Sequence, residues 1–246
     1  MTFDTGEWVL AVCAAGIVGL SKTGVPGIGM LFVAIFANLM PTRQASGFVL
    51  PLLLCGDLVA VSAYRQHTEW KHLWRLFPWT AAGVVLGALA MGRLDNRSAQ
   101  WLVGGIILAL VALHLLRKRA AARGEPAAPG PVLAPTVGVL AGFTTLVANA
   151  AGPLMTIYLL AMRLPKLAFV GTASVFFLLL NLFKVPFMVG LGLITGESLR
   201  LNLLLAPAVL AGAWFGRWLL PRVSAKWFER LALFFSAVAG LKLLSG

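Results

Sequence analysis

The sequence predicts an all-α polytopic membrane protein made of two inverted-topology repeats. Each repeat is expected to be a broken or re-entrant helical hairpin followed by three transmembrane helices. Three observations lead there. Of the 246 residues, 60% are apolar and only 11% are charged, less than half the ~25% of an ordinary soluble domain, so a wetted surface cannot be assembled. The apolar residues are gathered into ten segments, most of a length suited to a bilayer. The two halves of the chain also align on one another, with basic loops on opposite faces.

The segments in order are Trp8–Ser21, Thr23–Thr42, Gln44–Tyr64, Leu76–Gly92 and Ser98–Leu116, then Val132–Ala148, Gly152–Met162, Leu167–Val189, Leu201–Leu220 and Trp227–Leu244. Trp8–Ser21, Val132–Ala148 and Gly152–Met162 are short or interrupted by small residues, the pattern of discontinuous helices. Arg117–Pro131 reads RKRAAARGEPAAPGP, basic and then rich in Ala, Pro and Gly. The expected organisation is therefore a first transmembrane repeat over 1–116, a cytoplasmic linker over 117–131 and a second repeat over 132–246.

The repeat rests on ordered matches. At a shift of 123 residues Gly19 falls on Gly142, Gly29 on Gly152 and Leu31 on Leu154. At 124, Pro41 falls on Pro165, Gly47 on Gly171 and Asp57 on Asn181. At 129, Pro78 falls on Pro207, Gly83 on Gly212, Gly87 on Gly216 and Arg93 on Arg222. The shifts change between segments, where loops lie.

Orientation follows from the basic loops. With the linker in the cytoplasm, Arg65, Lys71, Arg75, Arg163, Lys166, Arg222, Lys226 and Arg230 join Arg117, Lys118, Arg119 and Arg123 there, making 12. Arg43, Arg93, Arg97, Arg200 and Lys242 fall on the other side, and both termini are expected to be non-cytoplasmic. Each half then crosses an odd number of times, three or five, which turns the second repeat upside down. Inverted repeats place a substrate site near the midplane between them.

The candidate site lies at the two interruptions. The first reads Gly19-Leu-Ser21-Lys22-Thr23-Gly24-Val-Pro-Gly27-Ile-Gly29, the second Gly142-Phe-Thr144-Thr145-Leu-Val-Ala-Asn149-Ala-Ala-Gly152-Pro153. Both predict a helix, a break and a new helix starting near Gly27 and Gly152. The free N–H groups of such starts attract anions. Lys22 is a cation inside a span, expensive unless functional; snorkelling to an interface is the plainer alternative. Lys184 lies late in its span and is read the same way. Asp57 is the only carboxylate within an apolar run, a candidate proton or ion-coupling group or a structural partner of Lys22. Ser21, Thr23, Thr144, Thr145, Asn149 and Asn181 supply hydrogen bonds. Two lysines, hydroxyls, amides and helix starts against one carboxylate favour a small anion over a cation.

Other classes fit less well. The excess of 20 Lys and Arg over 8 Asp and Glu is distributed over separate short loops, which argues against nucleic acid. No Ser/His/Asp set, paired carboxylates or metal ligands lie at membrane depth, so an enzyme is not expected. No cofactor motif is present. Cys13 and Cys55 lie in apolar runs and suggest no disulfide, and Asp4 and Glu7 before the first segment argue against a signal peptide. The expected partners are a small anion and the lipid bilayer, with the chain a monomer or homodimer.

The openings GIVGLSKTGVPGIGML and GFTTLVANAAGPLM, the pairs Pro41/Gly47 and Pro165/Gly171, the duplicated layout and the mid-chain linker resemble the TauE/SafE family of sulfite and organosulfonate exporters. The family's usual opening is closer to GIGGG in each half. Here the halves read GVPGIG and ANAAG, with Lys22 and Asn149 in or beside the departures. The resemblance implies secondary transport of a sulfur-containing anion in a bacterial inner membrane. It leaves export or uptake open, and an anion channel is the alternative mechanism.

Overall fold

The computed structural model describes residues 4–24, 27–90, 96–123 and 130–245. Val25 and Pro26 of the first break, the orientation marker Arg93 and residues 124–129 of the linker lie outside them. Among the described residues there are ten α-helices and no strand: α1 (Thr5–Thr23), α2 (Gly29–Leu39), α3 (Thr42–Tyr64), α4 (Trp70–Ala90), α5 (Asn96–Ala122), α6 (Leu133–Ala148), α7 (Ala151–Ala161), α8 (Lys166–Gly190), α9 (Gly196–Leu219) and α10 (Ala225–Ser245).

Local chemistry sets several of these boundaries. Asp4 and Glu7 form a reciprocal capping box that opens α1, and Thr195 and Ser198 do the same for α9. Pro41 and Pro165 stand immediately before α3 and α8 in the same extended backbone conformation. A proline lacks the N–H to continue a helix from behind but is well suited to its start. Several boundaries differ from the hydropathy reading: α2 begins at Gly29 rather than Thr23, α9 at Gly196 rather than Leu201, and α4 and α5 also shift. α4 begins at Trp70 rather than Leu76, because Thr68 donates to Gly171 O (3.2 Å) and the Glu69 N–H donates to Thr172 Oγ1 (2.9 Å), pinning the turn so that the helix starts at once. His72 therefore sits on α4, whereas His67 remains in the preceding 3-10 turn. α5 continues past Leu116 to Ala122, since Arg, Lys and Ala are strong helix formers.

Five helices, α1, α3, α4, α8 and α9, are long and apolar enough to cross a bilayer. α2 and α7 have 11 residues each, about 16 Å of helix against a hydrocarbon core of about 30 Å, and neither can cross alone. The chain is an all-α polytopic membrane protein.

The packing pairs helices from opposite halves. α1 lies along α9, and α6 lies along α4. Both contacts close on glycine: a methyl at Gly19 or Gly212 would strike the backbone of the partner helix at Val209 or Gly16, and one at Gly142 or Gly83 would strike Thr80 or Val139. Small residues let membrane helices approach to backbone contact. α3 and α8 cross in opposite directions. Gly47 near the start of α3 packs against Leu193 just after α8, and Gly171 near the start of α8 packs against Tyr64 and His67 at the end of α3. α5 packs on α10. At the Gly171 end, Lys166 Nζ donates to Leu220 O and Val223 O, both at 2.7 Å, so the starts of α4 and α8 and the end of α9 share one face of the bundle.

Candidate functional site

Both interruptions are real breaks. In the second half α6 ends at Asn149, whose φ of 51° is left-handed. Asn tolerates that conformation better than most residues, and the turn is closed by N–H donation from Asn149 to Thr145 O and from Ala150 to Thr144 O. α7 then starts at Ala151. In the first half α1 ends at Gly24, and Gly27, at φ 85°, precedes α2. Among the described residues no side chain of the N-cap position caps the start of α2 or of α7.

A cavity of about 880 Å³, including its open mouth, lies between these breaks and is walled further by α3 and α8. Ser21, Lys22 and Gly27 line it from the first break, Thr145, Asn149 and Gly152 from the second, and Asn181 from α8. At Gly152 there is open space where a side chain would be. The rest of the wall is mostly apolar, including Phe32, Met155, Phe169 and Phe177.

Behind this wall lie two buried charges. Lys22 Nζ is 2.8 Å from Asp57 Oδ1; the lysine side chain is 10% exposed and the carboxylate 0%. Thus Lys22 reaches the cavity and Asp57 stands behind it. Asn181 Nδ2 donates to Asp57 Oδ2 at 2.6 Å. The Phe177 ring lies on another side of the Lys22 ammonium, 4.5 Å from its centroid, a distance at which a ring face attracts a cation. Lys184 is fully buried, does not snorkel, and donates to Asn149 Oδ1 at 2.6 Å and to Thr145 Oγ1 at 3.4 Å. Asn149 Nδ2 in turn donates to Ser46 O at 3.3 Å, tying the second break to α3.

The sequence-derived residues therefore divide. Ser21, Lys22, Gly27, Thr145, Asn149, Gly152 and Asn181 share the cavity wall, with Asp57 and Lys184 directly behind them. Thr23 and Thr144 do not line it. Thr23 is buried and donates to Ala213 O (2.7 Å), and Thr144 donates to Ala141 O (3.3 Å). Ser21 donates to Val18 O while keeping its place on the wall. Sequence reasoning does not single out Phe177, Ser46 or Tyr64, whose hydroxyl donates to Thr23 O. Phe177 could be found from spacing: it lies one helical turn before Asn181 and two before Lys184, on the same face of α8.

A family model described as Sulfite exporter TauE/SafE matches residues 9–243. Among curated proteins and among solved structures, none matches the chain. The family's members are membrane transporters and not enzymes, in keeping with a polytopic helical chain. With the match covering almost its whole length, the chain belongs to the sulfite exporter TauE/SafE family.

Proposed function

We propose that this protein is a secondary transporter of a small sulfur-containing anion, a sulfite or an organosulfonate, bound near the middle of the bundle. The observation that carries the reading is Lys22. It is an ammonium on the wall of a membrane-embedded cavity, between two helix starts that lack side-chain caps. Cations and free backbone N–H groups together select anions. Thr145, Asn149 and Asn181 would orient the anion through hydrogen bonds, and Lys184 would raise the local positive potential from behind. The apolar wall around Phe32, Met155, Phe169 and Phe177 speaks for a sulfonate with an organic body ahead of bare sulfite.

The proposed architecture is two inverted repeats, residues 1–116 and 132–246, joined by a basic linker over 117–131. The pairings α1 with α9 and α6 with α4, and the opposed crossing of α3 and α8, support it, since a twofold axis in the membrane plane would generate each of them. The asymmetry of the basic loops supports non-cytoplasmic termini in a bacterial inner membrane, and two inverted halves would permit alternating access. Asp57 is the candidate coupling group.

Flux of sulfite and of aliphatic and aromatic sulfonates into liposomes tests the reading. Lys22→Ala is expected to abolish saturable flux of its substrate; unchanged flux with unchanged affinity removes Lys22 from the site.

A further inference from the structure

We propose that Asp57 is a tethered counter-anion: it holds Lys22 while the cavity is empty, and an entering anion takes Lys22 from it as Asp57 takes up a proton. This rests on the anion-transport reading above and adds how the anion is linked to a proton.

The geometry of the Lys22 ammonium is the starting point. Asp57 Oδ1 lies on one side at 2.8 Å and the Phe177 ring on another at 4.5 Å. Lys22 also lines the cavity, so a bound anion and Asp57 compete for the same cation. Asp57 itself is shut off from the cavity. Its Oδ2 is held by Asn181 Nδ2 at 2.6 Å, a contact that persists whether Oδ1 carries a proton or not. Oδ1 has Lys22 as its cation.

When Lys22 turns to an anion, Oδ1 is left as a buried carboxylate oxygen without a cation. An uncompensated buried charge is strongly unfavourable, and neutralisation by a proton removes the penalty. Once Lys22 has swung aside, the proton comes from water in the cavity, bonds to Oδ1, and returns to water when the anion leaves and Lys22 swings back. No other bond is made or broken. Counted together with the bound anion, Lys22, Lys184 and Asp57 total the same charge when the cavity holds a monoanion and Asp57 a proton as the three side chains do when the cavity is empty. The low-dielectric interior therefore sees no change in charge between the two states.

Among the described residues, the surroundings of Asp57 offer no other group for this role. α1 contributes Lys22, and α8 contributes the neutral Asn181 and, through space, Lys184. α2 and α6 contain no ionisable residue. Glu197, Arg200 and Arg217 of α9 are exposed near its ends. On α3, Tyr64 is engaged with Thr23 O, and Cys55 is a free thiol.

The test is calorimetry of the purified full-length protein with methanesulfonate and benzenesulfonate, which stay ionised throughout the neutral range, in buffers of different ionisation heat. The expected result is uptake of about one proton per anion bound by the wild type. Linkage then makes binding about tenfold tighter for each unit of pH lowered, wherever the uptake is one. Asp57→Asn is expected to bind with no proton uptake and with affinity that is flat in pH. Wild-type binding without proton uptake overturns the proposal, because Lys22 then bridges Asp57 and the anion together. Retained proton uptake in Asp57→Asn overturns it as well. If that variant does not fold, the wild-type proton count decides alone. Absence of binding by every sulfonate and by sulfite, with flux also absent, overturns the transport reading and this proposal with it.

Discussion

Asp57 and Asn181 are 124 residues apart, and their side chains meet through a hydrogen bond of 2.6 Å from Asn181 Nδ2 to Asp57 Oδ2. In the proposed repeat arrangement the two are counterparts, and their contact would mark where the halves face one another. The pair works because it is asymmetric: one member accepts and the other donates. Asn181→Asp would put two carboxylates in contact in a buried place, where both cannot ionise at once. The variant is expected to melt below the wild type at neutral pH and to recover as the pH falls. A melting difference that stays constant from about pH 5 to 8 would contradict this.

Phe177 is the aromatic partner of Lys22. Phe177→Leu keeps an apolar side chain there and removes the ring face. The expected loss in sulfonate affinity is about 3- to 10-fold, the range of a partly desolvated cation–π contact. Binding isotherms would measure it, and an unchanged constant would make the ring a mere filler.

The left-handed turn at Asn149 separates two effects. Asn149→Gly keeps the backbone easy and removes the acceptor for Lys184. Asn149→Ala removes the same acceptor and adds the strain of a Cβ at φ 51°. The alanine variant should be less stable than the glycine variant by about 1 kcal/mol. Equal stabilities in a denaturation series would mean that the break is held from elsewhere.

Gly83→Ala and Gly212→Ala each force a methyl into the backbone of a partner helix. Overpacking of this kind costs about 1–3 kcal/mol, and folded yield should fall. Gly105→Ala on α5 is the control, since nothing lies within contact distance there; it should be neutral or stabilising by up to about 1 kcal/mol. If all three behave alike, close approach at these glycines is not what holds the bundle.

Much of this was legible because a membrane makes polar residues conspicuous. Lys22, Asp57, Asn181 and Lys184 stand out from apolar runs, and Pro41 and Pro165 mark helix starts that the structure retains. The threonines were harder. The sequence reads Thr23 and Thr144 as ligand donors, yet each hydroxyl bonds a carbonyl, Ala213 O and Ala141 O. Thr144 turns back on its own helix, whereas Thr23 reaches Ala213 O on α9 as well as Gly19 O on its own helix, and spacing alone does not say which choice a threonine makes. Phe177 is one of 15 phenylalanines, and only the crossing of α1 with α8 gives it a cation to face. The start of α4 was hidden for a similar reason: hydropathy rises at Leu76, but hydrogen bonds to Gly171 and Thr172, a hundred residues on, begin the helix at Trp70.

The glycine contacts decide what can move as a unit. α1 is seated on α9 and α6 on α4 through backbone contact, so each rigid pair borrows one helix from either side of the linker. The halves written in the sequence are clasped rather than juxtaposed. Residues 1–116 alone would leave α1 and α4 each without the surface that covers its glycines. The folding unit is then the whole chain, and a break in the covalent linker would leave the two pieces still holding each other.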